Sequence, residues 1–288
     1  MTTETSAETS VDLRTWIGRT ERRGDDVGAA PLSALAATFN RDDLAFNLGS
    51  DVPPLWHWLH FIPLARQDQI GADGHPLRGG FLPPIALPRR MWAGGELQFH
   101  HPLQVGDEIV RQSRILDVDA KDGKSGPLVF VKVRHEISNA RGIAITEQQD
   151  IVYRGMPVAG APAPAEKKAA TDEDYRETVV PDPVLLFRYS ALTFNGHRIH
   201  YDRPYATEVE GYPGLVVHGP MVATLLLGLA SRQLPRRRVR GFAFRAVHPL
   251  FDTAAFELCG KAEADGSQKL WARNHDGALA MEARASFF

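Results

Sequence analysis

The chain has 288 residues, enough for about two domains at roughly 150 residues each. Lys and Arg total 33 against 35 Asp and Glu, a formal net charge of −2, which argues against a general nucleic-acid binder. Hydrophobic residues make up 43% and charged residues 24%, as in a globular protein with a real core. The single cysteine, Cys259, excludes an intrachain disulfide framework and a Cys-cluster zinc site.

Residues 1–10 (MTTETSAETS) are polar and lack the basic-then-apolar pattern of a secretory signal, and without Arg they make a poor mitochondrial presequence. In the first half, residues 54–61 (PLWHWLHF) are a candidate buried helix. Residues 87–95 (LPRRMWAGG) read as a loop between Pro and Gly-Gly turn signals, carrying Arg89, Arg90 and Trp92. Strand-like runs follow at 108–118, 128–137 and 143–153, separated by the turns KDGKSGP and NARG. Residues 157–170 (PVAGAPAPAEKKAA) alternate Ala and Pro and read as a linker. They divide the chain into units at 11–156 and 171–288.

The second unit rhymes with the first. His248-Pro249-Leu250 repeats His101-Pro102-Leu103 at an offset of 147, and Asn274 to Gly277 repeats Asn139 to Gly142 at an offset of 135. Strand-like runs at 256–264, 269–273 and 278–288 follow in the same order. Three features in one order make a duplicated unit. Ahead of these strands lies the most apolar stretch, residues 214–230, with Gly219-Pro220 as a helix start and the helix running to about Gln233. Apolar nearly all round, this helix should be buried, and the stretch is too short to span a bilayer. A soluble, cytoplasmic α+β protein is expected, with antiparallel sheets each wrapping a buried helix.

The densest polar cluster is residues 188–202, RYSALTFNGHRIHYD. Asn195 and His200 are separated so that a loop can turn both toward one point. If the chain is extended from His200, Asp202 falls on the same face and could orient the imidazole. Next, His218-Gly219-Pro220-Met221 opens the apolar helix, whose first turn offers unpaired N–H groups at Gly219 and Met221 for a carbonyl oxyanion. Taken alone, the first segment also reads as a surface loop and the second as a simple helix cap.

The segment YSALTFNGHRIHYD resembles the hydratase motif of the MaoC-like (R)-specific enoyl-CoA hydratases, and LVVHGPMVATLLLG resembles their hot-dog helix entrance. The first half, with PLWHWLHF and FLPPIALPRRMWAGGELQFHHPL, resembles the degenerate N-terminal hot-dog of double hot-dog dehydratases. That subgroup includes mitochondrial-type 3-hydroxyacyl thioester dehydratases and hydratases of mesaconyl-C4-CoA and itaconyl-CoA. The resemblance implies a double hot-dog fold. It places the family's catalytic His on His200, its catalytic Asp on Asn195, its carbonyl-polarising glycine on Gly219 and its Asn-Pro on His197-Arg198. An amide is no general base, so the expectation is that His200 handles the water's proton, Asn195 positions the water and Asp202 orients His200.

A CoA thioester substrate calls for cations. Arg236, Arg237 and Arg238 form the dense basic run that could meet its phosphates. Arg89 and Arg90 with Trp92, or Arg188 and Arg198 beside the loop, could pair with a free carboxylate, and His197, His218 and Met221 complete the expected substrate contacts. No metal-binding or nucleotide-binding motif appears, so neither cofactor nor metal is implied. The expected activity is hydration of a short branched dicarboxylyl-CoA. The alternatives are a 3-hydroxyacyl thioester dehydratase of fatty-acid synthesis, a thioesterase or a non-catalytic acyl-CoA-binding module. A homodimer is compatible with the fold.

Overall fold

The computed structural model describes residues 12–123, 126–156 and 166–288. Residues 124–125 of the KDGKSGP turn and most of the Ala/Pro stretch lie outside the described residues. In the first half, β1 (Thr20–Asp26) leads to α1 (Ala29–Thr38), then β2 (Arg89–Phe99), β3 (Glu108–Gly123), β4 (Gly126–Asn139) and β5 (Gly142–Arg154). In the second, β6 (Tyr175–Val179) leads to α2 (Pro183–Leu192) and α3 (Gly219–Gln233), then β7 (Val239–Ala246), β8 (Phe256–Ala262), β9 (Gln268–Arg273) and β10 (Leu279–Phe287). The strands form one antiparallel sheet in the order β1-β3-β4-β5-β2-β7-β10-β9-β8-β6. Read outward from the central β2–β7 pair, both halves have the same internal order. This is the duplication that the HPL and Asn-x-x-Gly repeats announce.

The repeat is visible in backbone detail. After β2, the N–H groups of His100 and His101 both converge on the Ala144 carbonyl; after β7, those of Val247 and His248 converge on the Ala280 carbonyl. Each HPL thus closes the same bulge at the end of a junction strand. Period-two burial builds the sheet: Val129, Val131, Val133, His135 and Ile137 of β4 face inward, while Lys132 and Arg134 between them do not. In β3 the inward phase runs through Ile109, Ser113 and Ile115 and then jumps to Val118, because the register slips at Leu116.

The helix α3 begins at Gly219 with Pro220 in its first turn, where a missing N–H costs nothing. It buries Met221, Val222, Ala223, Leu226, Leu227, Leu229 and Ala230, and packs on β7, β8, β9 and β10. Among the described residues the first half has no equivalent long helix. At PLWHWLHF the chain makes only one 3-10 turn, Trp56–Leu59, bracketed by left-handed residues Leu55 (φ 72°) and Phe61 (φ 57°) that stop a helix at both ends. The double hot-dog is therefore asymmetric, with one sheet and one long central helix.

Two further expectations change. Arg89, Arg90 and Trp92 lie on strand β2 rather than in a loop, and Gly94-Gly95 continues that strand. These glycines are needed for closeness: a Cβ on Gly94 would sit 2.6 Å from the Phe244 carbonyl oxygen, and one on Gly95 2.6 Å from that of Gln148. The end of the linker belongs to the second half, since Leu279 N–H donates to the Lys167 carbonyl and Ala169 and Ala170 pack against Cys259, Trp271 and Leu279.

The buried face of α3 sets the stability of the second half. Leu226 is fully buried, so Leu226→Ala is expected to destabilise the protein by about 2–5 kcal/mol, read as a shift in the urea-unfolding midpoint.

Candidate active site

The polar segment after α2 folds as a tight turn. Asp182 caps α2 through bonds from the Val184 and Leu185 amides, and the helix ends at Leu192. Phe194 then takes a left-handed conformation (φ 50°), and Asn195 N–H returns to the Ser190 carbonyl. The Asn195 side chain accepts from His197 N–H through Oδ1 (3.0 Å), while its Nδ2 has no hydrogen-bond partner among the described residues. A 3-10 turn, Arg198–His200, then carries His200 inward, where it is 7% exposed.

His200 is pinned at one nitrogen. Its Nδ1 lies 2.7 Å from the Val216 carbonyl, which can only accept, so Nδ1 holds the proton and Nε2 carries the lone pair. Burial pushes the pKa of His200 down to about 4, against the opposing effect of the Val216 carbonyl. The ring stacks on His218 with centroids 3.7 Å apart and planes 19° apart. His218 caps the N-terminus of α3 and meets Ser190 Oγ through Nε2 at 2.8 Å; burial drives its pKa well below the ordinary value. Because His218 directly precedes Gly219, this stack sets His200 beside the helix tip.

That tip is open. A Cβ added at Gly219 would meet nothing within 4 Å, and the amides of Gly219 and Met221 have no hydrogen-bond acceptor among the described residues. Free N–H groups at the positive end of a helix dipole are suited to an oxyanion. The Met221 side chain, by contrast, is fully buried in the core, so only its amide belongs to the site.

Two expectations are corrected here. Asp202 does not orient His200: the chain is not extended at this point, and Asp202 pairs with Arg198 (2.7 Å) and accepts from Tyr205 N–H. Arg198 is held by Asp202, by the Ala72 carbonyl (3.0 Å) and over the Tyr205 ring, which leaves it no role as a carboxylate partner. The basic run Arg236, Arg237 and Arg238 follows the C-terminus of α3, about 22 Å from Gly219 at 1.5 Å of rise per residue, a separation of the order of the pantetheine arm that divides a CoA thioester from its phosphates. There Arg237 donates to the Phe288 carbonyl, Arg238 lies over the Phe288 ring, and both line a separate cavity of about 330 Å³ with Val52 and Leu234.

The arginines of β2 separate cleanly. Arg89 is buried, 2.8 Å from the Glu210 carboxylate and over the Tyr212 ring, so it ties β2 to the second half. Trp92 packs edge-on against Trp58 and Phe244 and donates to the Gly94 carbonyl. Arg90 has no carboxylate partner among the described residues, and its charge is felt by Tyr153, His75 and His197. Arg188 is exposed on α2 and has no ion-pair partner among the described residues.

The first half also supplies groups that the sequence reading passed over. The loop at residues 71–78 docks on the turn that carries Asn195 and His200: Arg198 N–H donates to the Asp73 carbonyl, and Gly74 meets Gly196 backbone to backbone. A Cβ at Gly74 would run into the Gly196 carbonyl oxygen, and one at Gly196 would lie 2.6 Å from that of Gly74. This contact brings the His75 ring to 4.1 Å from the His197 ring, which stands 5.5 Å from His200 and perpendicular to it. Asp73 binds His75 twice, at the backbone amide (3.0 Å) and at Nδ1 (3.1 Å). Burial opposes ionisation of Asp73, but the bonds from His75 outweigh it and hold the carboxyl well below its usual range. Burial pushes His197 down to about 2. Asp73, His75 and His197 bring donor atoms within 4.8 Å of one another. Yet Asp73 is engaged by His75, the two rings lie in close tilted contact and the Arg90 charge is felt by both, an arrangement of a hydrogen-bonded cluster rather than a cation cage. The available signal was a third His-Pro-Leu, at residues 75–77, preceded by Asp-Gly.

Among the described residues no helix is long and apolar enough to cross a membrane. The family model for hydroxyacyl-thioester dehydratase type 2 matches residues 55–252. The chain is 52% identical over 276 residues to the mesaconyl-C(4)-CoA hydratase of Chloroflexus aurantiacus, covering 95% of this chain and 97% of that one. Its fold is similar to a MaoC-like dehydratase of Phytophthora capsici (TM-score 0.67, 16% identity, 96% and 97% of the two chains). It is also similar to a Mycobacterium tuberculosis protein described as a double hot-dog (TM-score 0.58, 16% identity, 94% and 96%). With this site geometry and this match across both halves, the chain belongs to the hydroxyacyl-thioester dehydratase type 2 family of double hot-dog proteins.

Proposed function

We propose that the chain is a hydro-lyase that adds water across the double bond of an enoyl-CoA thioester, acting as a dehydratase in reverse, on a methyl-branched dicarboxylyl-CoA of the mesaconyl type. The observation that carries this reading is the pinned His200, with its Nε2 lone pair free, beside the open amide of Gly219. The thioester oxygen would accept from Gly219 N–H, which draws electron density from the conjugated double bond and leaves Cβ electrophilic. Water held by Asn195 Nδ2 would attack Cβ as His200 Nε2 takes its proton. The π pair moves onto the Cα–C–O enolate, and the same proton then returns from His200 to Cα. Atoms and charge balance without a further reactant.

The chemistry of the relative's substrate favours the acyl group. In a mesaconyl group esterified to CoA at C4, the free carboxylate sits on Cβ, the carbon that water attacks. A cation must then stand next to the proton-handling histidines. Arg90 fits that demand, having no carboxylate partner among the described residues and lying near enough to His75 and His197 for its charge to act on both. A long fatty acyl chain would leave it buried against apolar carbon, which argues against a dehydratase of fatty-acid synthesis. A thioesterase is disfavoured because residues 221–229 of α3 carry no acid.

Absorbance of the conjugated thioester should fall when the protein is given mesaconyl-C4-CoA within a panel that includes itaconyl-CoA and unbranched enoyl-CoAs; release of free CoA instead would identify a thioesterase. His200→Gln should lower kcat about 10²–10⁴-fold, since acid–base assistance is worth that much. Only the neutral ring is a base, and burial depresses its pKa. As pH falls, kcat/KM should therefore hold through the ordinary histidine range near 6.5 and be lost only toward about 4. Arg90→Met should cost about 1.5–3 kcal/mol in kcat/KM for the dicarboxylyl substrate and little for a monocarboxylyl one, measured by competition between the two.

A further inference from the structure

Taking the hydratase reading as its basis, we infer that Asp73, acting through His75 and His197, is the counter-charge that allows His200 to hold a proton during turnover. It thereby fills from the first half the place that a carboxylate at Asn195 would occupy in the second. The need is electrostatic. When His200 takes the proton of water, a positive charge forms in a desolvated site. His200 is stacked on His218 from the tip of α3 and edged by His197 from its own turn. His75 stands behind His197 on the docked loop, and Arg90 adds a fixed positive charge from β2. None of these groups is an anion.

The nearby carboxylates differ in availability. Asp202 is engaged by Arg198, and Glu210 by Arg89. Asp73 is the carboxylate bonded into the histidine cluster itself, through His75 Nδ1 at 3.1 Å. The ring sequence His75–His197–His200, with spacings of 4.1 and 5.5 Å, carries its influence to the reacting nitrogen. Its placement is built in, because Gly74 and Gly196 meet with no room for a side chain, and the Asp73 and Ala72 carbonyls bind Arg198. Asp73 is thus a positioning residue: it touches neither the water nor the acyl group.

The substitution Asp73→Asn removes the charge and little else. The Asn oxygen can still accept from the His75 amide, and the docking bonds to Arg198 use backbone carbonyls. With mesaconyl-C4-CoA, kcat should fall at least tenfold while KM changes less than threefold, and the acidic limb of the pH profile should move to lower pH. Restoring a carboxylate at the other end, in Asp73→Asn/Asn195→Asp, should recover most of the loss. A purely structural role predicts none of this recovery and no movement of the acidic limb, and either result would overturn the inference. A readout independent of turnover separates this failure from failure of the hydratase reading. In nitrogen-15 NMR titrations of the intact protein, Asp73→Asn should lower the midpoints of His75 and His197. Unchanged midpoints sink the counter-charge whatever reaction the site performs.

Discussion

The hydrogen bond from His200 Nδ1 to the Val216 carbonyl, 2.7 Å long and buried, decides which nitrogen of that ring can act as a base. The carbonyl can only accept, so it fixes the tautomer and leaves the lone pair on Nε2. The bond also joins two segments distant in sequence. Val216 N–H donates to the Ile199 carbonyl, and Val217 N–H to the Leu250 carbonyl, so the run into α3 is threaded between the His200 turn and the HPL bulge of the second half. The base and the helix tip are consequently positioned by one short stretch of backbone. Movement at Val216 would displace both together.

The two halves divide the labour unequally. The second contributes the buried helix, its exposed amides and the pinned imidazole. The first contributes a sheet that continues the second through β2 and β7, the buried Arg89–Glu210 pair across the junction, and the loop whose Gly74 fits against Gly196. Where a second long helix would otherwise lie, His57 and Trp58 converge on the buried Glu147, at 3.1 and 3.0 Å. Burial opposes ionisation of that carboxyl, yet the bond from His57 and the surrounding cluster lower its pKa to about 2.

Much of this was legible before any coordinates. The repeat, the strand runs after each HPL and the apolar helix starting at Gly219-Pro220 appear where turn chemistry and period put them, since those signals are local. The turn holding Asn195 and His200 was legible for the same reason. Tertiary detail was not. Asp202 lies two residues past His200, but the 3-10 turn rotates it toward Arg198. Gly94-Gly95 imitates a turn while serving a crowded strand crossing. The basic run after α3 was legible by density, but not that Arg237 and Arg238 would fold against Phe288 at the far end of the chain. Asp73 and His75 were missed because their importance comes from a docking contact more than a hundred residues away in the chain, which no spacing rule can register.

The shortened first-half helix has a consequence for stoichiometry. A hot-dog that assembles from two identical copies presents two equivalent helix tips and hence two reaction centres per pair. Here the place of the second tip is taken by a four-residue 3-10 turn between left-handed residues, and the neighbouring histidine faces a buried glutamate. One polypeptide carrying two folds thus has one long helix with an open N-terminal tip of this kind among its described residues. Its other half is released from matching that tip and is free to diverge from it in sequence.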